Sequence, residues 1–600
     1  MGLGKQQKIN RSSDMSARKP VKKNPSDHMT RREFLSAGAA SALLFPSLLR
    51  AGSRGSRPDG SGLKNIVFII SDQHRFDFGG FAGHPIVATP NLDRMAREGT
   101  VFENMYCQYP LCVPSRTSIV RSQYAGTHGI RTNDVPSMDT LVNHLGNQGY
   151  RTWLFGKSHM AVQAFDTMID RNNLDRYVDA EISGAQDAAD KWYSQQYKGL
   201  IEDSKGINTK YLLYPLQEAW HEESLFYELA DKTLRQNKET PFFLWISYKS
   251  PHPAWTPPEI DWNKYLGKDL PVPPPVTPEL LQSLPLYKQK DYANRQLAKM
   301  TQEDRMNAAR AYCAYVEYTD RMVGKVLNLL DALNLSQDTL VVYTADHGEM
   351  LGEHGLYHKM AFYEPSAHIP GILRCPGLVP AGRRIKKNTQ HIDLMPTLFE
   401  LAGIPLQGME QGRSMVNLIK DPNDPSWDDE AYCEVLDHYV MIRKGKWKYN
   451  CFPASRTYPD DRDQLFDLEA DPGETINLVD DLETRDVRSD LLARIAARFP
   501  ISTGVNNHEP KQPGDFLLEQ NYPNPFNPRT TVRFTLPRTE HATLVVVDAR
   551  GREVATLTDR ILPPGGHHAV FNAEGLPSGP YFFRLTAGDT RQIREGMLIK

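Results

Sequence analysis

Four apolar runs in this chain of 600 residues each end abruptly in polar or ionisable side chains. They are NIVFIISD (Asn65–Asp72), YRTWLFGKSH (Tyr150–His159), PFFLWISYKSPH (Pro241–His252) and TLVVYTADHGE (Thr339–Glu349). Continuous apolar runs of this length, separated by amphipathic stretches, favour buried strands that alternate with helices. Ligands of open α/β sheets bind beyond the carboxyl ends of such strands. The sequence therefore predicts an α/β protein with a large, mostly parallel sheet flanked by helices, and a site where the four runs end.

Two of these runs end in potential metal ligands. Asp72 and Gln73 follow the first run, and Asp346 and His347 follow the last. Hard divalent cations prefer oxygen-rich clusters of this kind, although an imidazole is a less usual ligand for them. Each aspartate alone could equally cap a helix. Their shared position at strand ends predicts a site for a divalent cation.

The segment LCVPSR places a cysteine, Cys112, at the start of a predicted helix. Pro114 suits the first helical turn, and Arg116 follows one turn after the cysteine. A helix N-terminus and a guanidinium are both positive, so an anionic group is favoured at this position. These residues alone leave three interpretations open for the thiol, which are a nucleophile, a buried structural cysteine and a disulfide partner.

The cysteines are few for an exported scaffold held together by disulfides. The six of them are Cys107, Cys112, Cys313, Cys375, Cys433 and Cys451. A bridge between Cys433 and Cys451 is one pairing that the sequence leaves open.

Composition and patterning divide the chain into five regions. Residues 1–51 contain Arg31 and Arg32 before a short apolar stretch, which predicts a twin-arginine export signal, with a basic amphipathic helix as the alternative. An α/β catalytic domain is predicted over residues 63–385, with a long helix at about Glu303–Leu333. A smaller α+β subdomain is predicted over 386–500 and a linker over 501–519. Residues 520–600 alternate apolar and polar side chains between turns, which predicts a β-sandwich.

The charge distribution argues against a nucleic-acid partner. The net charge is −3, but residues 1–51 carry ten Lys and Arg against three Asp and Glu, so the remainder carries −10. No segment after the predicted leader approaches the roughly 20 apolar residues of a membrane span. The chain is predicted to be exported and to lie in the periplasm, on the cell surface or outside the cell.

The short motif C-x-P-S-R at residues 112–116 resembles the modification motif of type I sulfatases, members of the alkaline-phosphatase-like superfamily whose cysteine is oxidised to formylglycine. Five further motifs follow the order of that family across residues 63–500, and these are SDQHR, GKSHM, SPHPAW, TADHGE and GLYHKMAFYEPS. One departure is Arg121-Ser122, where many members have Thr-Gly. The NYPNPFNP segment and the closing strand of residues 520–600 resemble the sorting domain of the type IX secretion system, with an immunoglobulin-like binding module as the alternative.

The resemblance to sulfatases implies a role for each matching residue. Cys112, as a formylglycine hydrate, would be the nucleophile and would form a covalent sulfo-enzyme intermediate. His159 resembles the base that deprotonates the hydrate, and His252 the acid that protonates the leaving oxygen. Positive charge around the sulfate would come from Arg116, Lys157 and Lys359. The ligands of a Ca²⁺ ion, with Mg²⁺ as the alternative, would be Asp72, Gln73, Cys112, Asp346 and His347.

The sequence thus predicts an exported sulfatase that hydrolyses sulfate esters, with a sulfated polysaccharide, an oligosaccharide or a small sulfate ester as substrate. A formylglycine-generating enzyme and the export and type IX secretion machinery are the implied partners. Two alternatives stay open, which are a formylglycine-dependent phosphonate monoester hydrolase or phosphodiesterase, and an inactive glycan-binding surface protein. His128, in the GTHGI segment, is predicted to be structural and to fix the turn after the Cys112 helix.

Overall fold

The computed structural model describes residues 63–134, 137–160, 164–170, 221–295, 297–436, 439–453, 462–499, 516–518, 520–521, 524 and 526–599. The predicted export signal at residues 1–51 and most of the predicted linker at 501–519 lie outside the described residues. No helix in the described part of the chain is long and apolar enough to cross a membrane.

The largest element is a mixed sheet of nine strands, in which the order β4-β3-β5-β1-β6 is parallel throughout. Its strands are β1 (Asn65–Ser71), β2 (Thr100–Tyr106), β3 (Arg151–Gly156), β4 (Thr167–Ile169), β5 (Phe242–Tyr248), β6 (Thr339–Ala345), β7 (His368–Ile369), β8 (Gly371–Arg374) and β9 (Arg383–Gln390). The four predicted runs are β1, β3, β5 and β6. The predicted fold class, a large and mostly parallel sheet flanked by helices, is confirmed.

The central strand β1 is buried along its whole length, as a strand covered by helices on both faces must be. Its side chains alternate between two hydrophobic cores. Phe68 and Ile70 pack into one core, while Val67 and Ile69 pack into the other. This two-sided burial explains why the sequence shows a continuous apolar run here instead of alternation.

The register of the central strands brings their carboxyl ends together. Ser71 of β1 lies between Tyr248 of β5 and Ala345 of β6. The next residues continue the ladder, because Asp72 N donates to Tyr248 O (3.1 Å) and Asp346 N donates to Ser71 O (3.2 Å). The two aspartates of the predicted metal site therefore emerge side by side.

Beyond β6 the sheet is mixed. β8 pairs antiparallel with both β6 and β2, so β2 again runs in the direction of the central strands. β9 then pairs parallel with β2, and it extends to Gln390, five residues past the predicted domain boundary at 385. The large sheet therefore includes residues that the sequence interpretation gave to the smaller subdomain.

Helices cover the sheet. The α-helices of the described residues are Pro90–Glu98, Cys112–Arg121, Ala125–His128, Leu141–Asn147, Glu222–Asn237, Glu259–Trp262, Pro278–Ser283, Leu286–Asn294, Gln302–Ala332, Glu364–Ala367, Leu394–Leu401, Val416–Lys420 and Arg485–Arg498. The longest begins with a capping box, in which Thr301 and Asp304 bond each other's backbone N–H groups. Its observed bounds, Gln302–Ala332, differ by one residue at each end from the predicted helix.

A second, antiparallel sheet follows, with the order β10-β11-β12-β13. Its strands are β10 (Glu430–Val435), β11 (Tyr439–Lys444), β12 (Trp447–Cys451) and β13 (Gln464–Asp467). Leu491 and Ile495 of the Arg485–Arg498 helix join the hydrophobic core that this sheet forms. This arrangement agrees with a smaller α+β subdomain.

Cys433 and Cys451 lie on two non-adjacent strands of this sheet and do not form a disulfide bridge. Strand β11 lies between the two cysteines, which places them about 9.6 Å apart across the sheet. Cys433 is opposite Met441, whereas Cys451 is opposite Val440, so the side chains also point to opposite faces. A disulfide needs Cα atoms within about 7 Å. All six cysteines belong to the described residues and are reduced and buried.

Residues 516–599 contain two further antiparallel sheets, with orders β14-β15-β18 and β17-β16-β19-β20. Their strands are β14 (Leu517–Leu518), β15 (Arg529–Leu536), β16 (Glu540–Asp548), β17 (Glu553–Leu562), β18 (Gly565–Asn572), β19 (Gly579–Ala587) and β20 (Thr590–Leu598). Phe534 and Phe583, one from each sheet, share a single hydrophobic core. This is the predicted β-sandwich, with buried side chains alternating with partly buried or exposed ones along β15 and β19.

Candidate active site

The thiol of the sequence motif lies at the start of a helix. The Cys112–Arg121 helix begins at Cys112 itself, after Leu111 in extended conformation, and Pro114 lies within its first turn as the sequence predicts. Its first nine residues are buried, so this helix passes through the protein interior instead of over its surface. The Cys112 side chain therefore lies at the positive end of a helix dipole that is shielded from water.

Three residues at strand ends, Asp72, Asp346 and His347, lie close to this thiol. One ligand atom from each of Asp72, Cys112, Asp346 and His347 lies within 4.8 Å of the others, and all four residues are buried. His347 Nε2 is 3.4 Å from Cys112 Sγ and 3.5 Å from Asp346 Oδ1. The structure thus brings four of the five predicted metal ligands into one cluster.

Gln73, the fifth predicted ligand, lies beside this cluster. Its backbone N–H donates to Asp346 Oδ1 (3.1 Å), and its φ of 72° is in the left-handed region. Its side-chain Oε1 is buried and has no hydrogen-bond partner among the described residues. A buried amide oxygen without a partner is costly in a folded protein unless a ligand completes it. Together with two carboxylates and an imidazole, this oxygen suits a divalent cation.

Three cations surround the thiol and the carboxylates. Lys359 Nζ is 3.1 Å and Lys157 Nζ is 3.5 Å from Cys112 Sγ, and Lys157 also bonds Asp72 Oδ2. Arg116 lies deeper, where its Nε donates to Asp346 Oδ2 (2.8 Å). These three fixed positive charges favour an anionic group at the thiol position in a water-poor site.

The same charges set the protonation of the site. Burial raises the pKa of Cys112, but Lys157 and Lys359 outweigh it and hold that pKa well below its usual range. For Asp72, burial and the Cys112 sulfur raise the pKa, and the opposing effect of Lys157 together with His252 and Lys359 lowers it below its usual range. Both groups are therefore anions at neutral pH.

Both predicted catalytic histidines lie close to the thiol. His159 helps to lower the pKa of Cys112, and the Cys112 sulfur in turn favours the protonated form of His252. Burial, followed by the nearby charge of Lys359, lowers the pKa of His252 below its usual value. His159 has a φ of 41°, and its Nδ1 is buried with no hydrogen-bond partner in the described part of the chain. Left-handed backbone at a residue other than glycine is concentrated at functional sites.

Two buried residues that sequence reasoning did not single out hold this arrangement in place. Ser247, at the end of β5, accepts from Arg116 Nη1 (2.6 Å), and the same nitrogen donates to Lys157 O (3.0 Å). Glu349 accepts from the side-chain amide of Gln73. Ser247 lies in the run PFFLWISYKSPH, and Glu349 ends the run TLVVYTADHGE. The polar endings of these runs are the sequence signal that could have identified both residues.

The segment after the Cys112 helix has a structural role. His128 Nε2 contacts Ser118 Oγ (3.0 Å), and its Nδ1 accepts from Ile130 N (3.1 Å). Burial, aided by the charges of Arg121 and Arg131, lowers the pKa of His128 to about 3. This histidine is therefore neutral and fixes the turn, as predicted.

The departure from the sulfatase motif at Arg121-Ser122 falls at the end of the helix. Ser122 caps the helix with φ 52° and ψ 42°, a conformation that glycine adopts without strain. The serine Oγ donates to Ile392 O (2.6 Å) and accepts from Gly412 N (3.2 Å). These bonds hold a residue with a side chain in the conformation that the usual glycine would take.

Three family models match the chain. The Sulfatase model matches residues 64–404, and the model described as N-sulphoglucosamine sulphohydrolase, C-terminal, matches residues 352–499. The model described as a secretion system C-terminal sorting domain matches residues 520–600. The predicted resemblances to sulfatases and to a type IX sorting domain are thereby confirmed.

Individual proteins give the same result. A choline-sulfatase of Rhizobium meliloti (strain 1021) is 30% identical over 449 residues, which are 70% of this chain and 83% of the relative. A protein solved in complex with its substrate, D-glucosamine-2-N,6-O-disulfate, is 21% identical with a TM-score of 0.57, over 74% of this chain and 99% of the other. The phosphonate monoester hydrolase of Agrobacterium radiobacter is 20% identical with a TM-score of 0.61, over 72% and 95%. The two solved structures share the fold of the catalytic region.

Proposed function

Because this chain belongs to the sulfatase family and is an exported sulfuric ester hydrolase, we propose that it removes sulfate from a sulfated polysaccharide or oligosaccharide, using Cys112 in its formylglycine form. The observation that carries this proposal is the position of the Cys112 side chain. It lies at a helix N-terminus and touches Lys359, Lys157 and His347, the residues that an anionic substrate would meet first.

A divalent cation fits beside this residue. Asp72, Gln73, Asp346 and His347, together with the modified Cys112, would hold it, and Ca²⁺ is the proposed ion with Mg²⁺ as the alternative. When bound, the ion would polarise the sulfate oxygens and favour the anionic form of the nucleophile. The buried carboxylate of Asp72 is already ionised in the protein, so cation binding needs no proton release from it.

In its hydrated formylglycine form, residue 112 would supply two geminal hydroxyls, one for attack on sulfur and one for release of sulfate with return to the aldehyde. The remaining steps depend on side chains that are present in the chain. His159 is proposed to take a proton from the attacking hydroxyl, and His252 to protonate the leaving oxygen. Lys157 and Lys359 would stabilise the charge that grows on the sulfate oxygens.

Arg116 has a different role in this proposal. Its guanidinium is fully buried and bonds Asp346, Ser247 and the backbone of Lys157. It therefore fixes one metal ligand and one catalytic lysine relative to each other, and its positive charge adds to the field at the nucleophile. Such positioning matters, because a misplacement of about 1 Å can lower the rate about 10²-fold.

The substrate class is inferred from the relatives and from the sorting domain. One structural neighbour acts on a sulfated glucosamine, while the choline-sulfatase acts, by its name, on a small ester. Export through the type IX pathway places this enzyme where polymers are encountered before uptake, which favours the glycan. A screen of sulfated glycans against choline sulfate and aryl sulfates tests this choice. Turnover of only the small esters would contradict it.

Mass spectrometry tests the nucleophile directly. Trypsin releases residues 98–116 as one peptide that contains both Cys107 and Cys112. Conversion of a cysteine to formylglycine lowers the mass by ~18 Da, as the oxidation replaces sulfur and two hydrogens by oxygen. Protein produced with a formylglycine-generating enzyme is expected to show this loss at Cys112, while Cys107 takes up an alkylating reagent. Two alkylated cysteines after coexpression would refute the proposal.

A phosphonate monoester hydrolase is the second candidate, favoured by the structural neighbour with the TM-score of 0.61. The same nucleophile and cation could transfer a phosphoryl group. Steady-state rates on aryl sulfates and aryl phosphonate monoesters separate the two functions. The sulfate is expected to have the higher kcat/KM, and a phosphonate preference above about tenfold, or ~1.4 kcal/mol, would reverse the assignment. An inactive glycan-binding protein would turn over neither ester.

A further inference from the structure

Glu349 is a fully buried carboxylate two residues after His347, and none of the steps above uses it. An isolated buried carboxylate is costly, so its hydrogen-bond partners indicate what it does. Its two oxygens face different parts of the site. Oε2 accepts from the side-chain nitrogen of Gln73, and Oε1 accepts from the backbone N–H groups of Leu351 (2.9 Å) and His358 (2.5 Å).

The first of these bonds decides which way the Gln73 amide is turned. An ionised carboxylate only accepts hydrogen bonds, so it can pair with the NH₂ group of an amide but not with its oxygen. The Gln73 nitrogen is therefore turned to Glu349, and Oε1 is left as the buried atom without a partner in the described part of the protein. A cation can bind that oxygen, whereas it would be repelled by the NH₂ group.

The second set of bonds fixes the loop that carries a catalytic lysine. His358 directly precedes Lys359, and its backbone N–H is tied to Glu349. Lys288, which is buried, donates to Lys359 O (3.2 Å) from the other side. The carboxylate thus links the residue that would hold the cation to the segment that positions Lys359 beside Cys112.

We propose that Glu349 is a positioning residue of the metal site, which turns the carbonyl oxygen of Gln73 toward the cation by accepting from its NH₂ group. This inference rests on the proposed metal site. It predicts that the Gln73 amide turns over in Glu349→Gln. The oxygen of the new amide would still accept from the two backbone N–H groups, so its NH₂ group would face Gln73. Gln73 would then have to turn its oxygen toward residue 349 and its NH₂ group toward the cation.

The experiment measures Ca²⁺ binding to the metal-stripped, full-length protein by isothermal titration calorimetry, with thermal unfolding in chelator as a control for folding. Glu349→Gln is expected to weaken Ca²⁺ binding by about 10–100-fold, the usual effect of losing a residue that orients a metal ligand. Glu353→Gln is the matched control, because Glu353 lies on the same loop but is partly exposed and lies 3.7 Å from Arg75. It is expected to bind Ca²⁺ like the wild type.

A double variant distinguishes positioning from a general structural role. In Gln73→Glu with Glu349→Gln, one oxygen of residue 73 can accept from the new amide while the other binds the cation, and the total charge is unchanged. Ca²⁺ affinity is expected to return to within about threefold of wild type. Two results would overturn the role of Glu349. One is that Glu349→Gln binds Ca²⁺ as tightly as the wild type, and the other is that the double variant binds Ca²⁺ as weakly as Glu349→Gln. A wild-type protein that binds neither Ca²⁺ nor Mg²⁺ overturns the metal site itself.

Discussion

Two buried clusters of charge in this protein are built in opposite ways. In the active-site cluster, defined here as Arg116, Lys157, Lys359, Asp72 and Asp346, three cations face two carboxylates and a thiol. In the second cluster, defined here as the Lys448 cluster, one buried lysine faces two carboxylates, Glu364 at 2.9 Å and Glu474 at 2.8 Å.

The difference lies in what each cluster leaves unpaired. Around the first, Gln73 Oε1, Arg116 Nη2 and His159 Nδ1 are buried without hydrogen-bond partners among the described residues. In the second, only Glu474 Oε1 has no hydrogen bond among the described residues, and it lies 2.8 Å from Lys448 Nζ, which donates to Glu364. Tyr106 and His368 also bond Glu364. Several unpaired polar atoms around three fixed cations indicate a site prepared for a ligand, while a lysine held between two carboxylates indicates a cluster that joins segments of the fold. The predictions below test this division.

Removal of the Cys112 side chain gives the largest expected effect. In Cys112→Ala, kcat should fall by ~10⁴-fold or more, because the nucleophile is lost and only binding and charge stabilisation remain. The free energy of unfolding should change by only about 1 kcal/mol, since one small side chain is removed. Steady-state kinetics on an aryl sulfate and chemical denaturation check both values. A much larger loss of stability would make this cluster structural as well.

Removing the cation of the Lys448 cluster should lower stability and leave the catalytic rate unchanged, the opposite of Cys112→Ala. Lys448→Met keeps the length of the side chain but leaves Glu364 and Glu474 without their cation. Breaking a buried ion pair in this way costs about 3–5 kcal/mol of the free energy of unfolding. Catalysis by the protein that stays folded should be unchanged, because the lysine does not contact Cys112. Denaturation and kinetics at low temperature measure these effects, and a variant that is stable but inactive would contradict the division.

A cation of the active-site cluster should affect rate instead of stability. Lys359→Met removes a charge 3.1 Å from Cys112 Sγ and 3.9 Å from Asp72 Oδ1. The loss of one charged donor from such a site lowers kcat by about 10²–10³-fold. Stability should change little, because Arg116 and Lys157 still balance the charges of Asp346 and Asp72. Lys325→Met, at a lysine stacked on Tyr227 outside this cluster, is the matched control and should keep wild-type kcat.

Much of the active-site cluster could be predicted from the sequence, because its residues lie where strands end. Asp72 and Asp346 come directly after continuous apolar runs, and parallel strands in register must bring such residues together. The Cys112 helix was recognised from its proline and arginine. The reversed strand β8 was not predicted, since a short apolar segment such as Gly371–Arg374 does not reveal its direction.

Other features depend on side-chain geometry that sequence spacing does not fix. The sequence does not decide a Cys433–Cys451 bridge, because the face of a strand on which a residue lies depends on the turns between strands. Two turns separate these residues, and they place the thiols on opposite faces. Likewise, TADHGE shows Glu349 in the sequence but not its bond to Gln73. The pairing of Lys448 with Glu364 joins residues 84 positions apart, which no local pattern records.

The smallest expected effect is a change in pH dependence at the Lys448 cluster. Burial raises the pKa of Glu474 to about 7, although Lys448 opposes this, whereas the unfolded side chain titrates near 4.5. The folded state therefore binds a proton that the unfolded state releases, so the contribution of this group is fully present below pH 4.5 and is lost as the pH rises to 7. In Glu474→Gln, the amide cannot titrate, and the decline in unfolding free energy over this interval should be shallower by about 1–3 kcal/mol. Denaturation of both proteins between pH 4.5 and 7.5 measures the difference. Because the active-site cluster is untouched, the ratio of their kcat values should stay constant across the same interval, and a ratio that varies with pH would show that the two clusters are coupled.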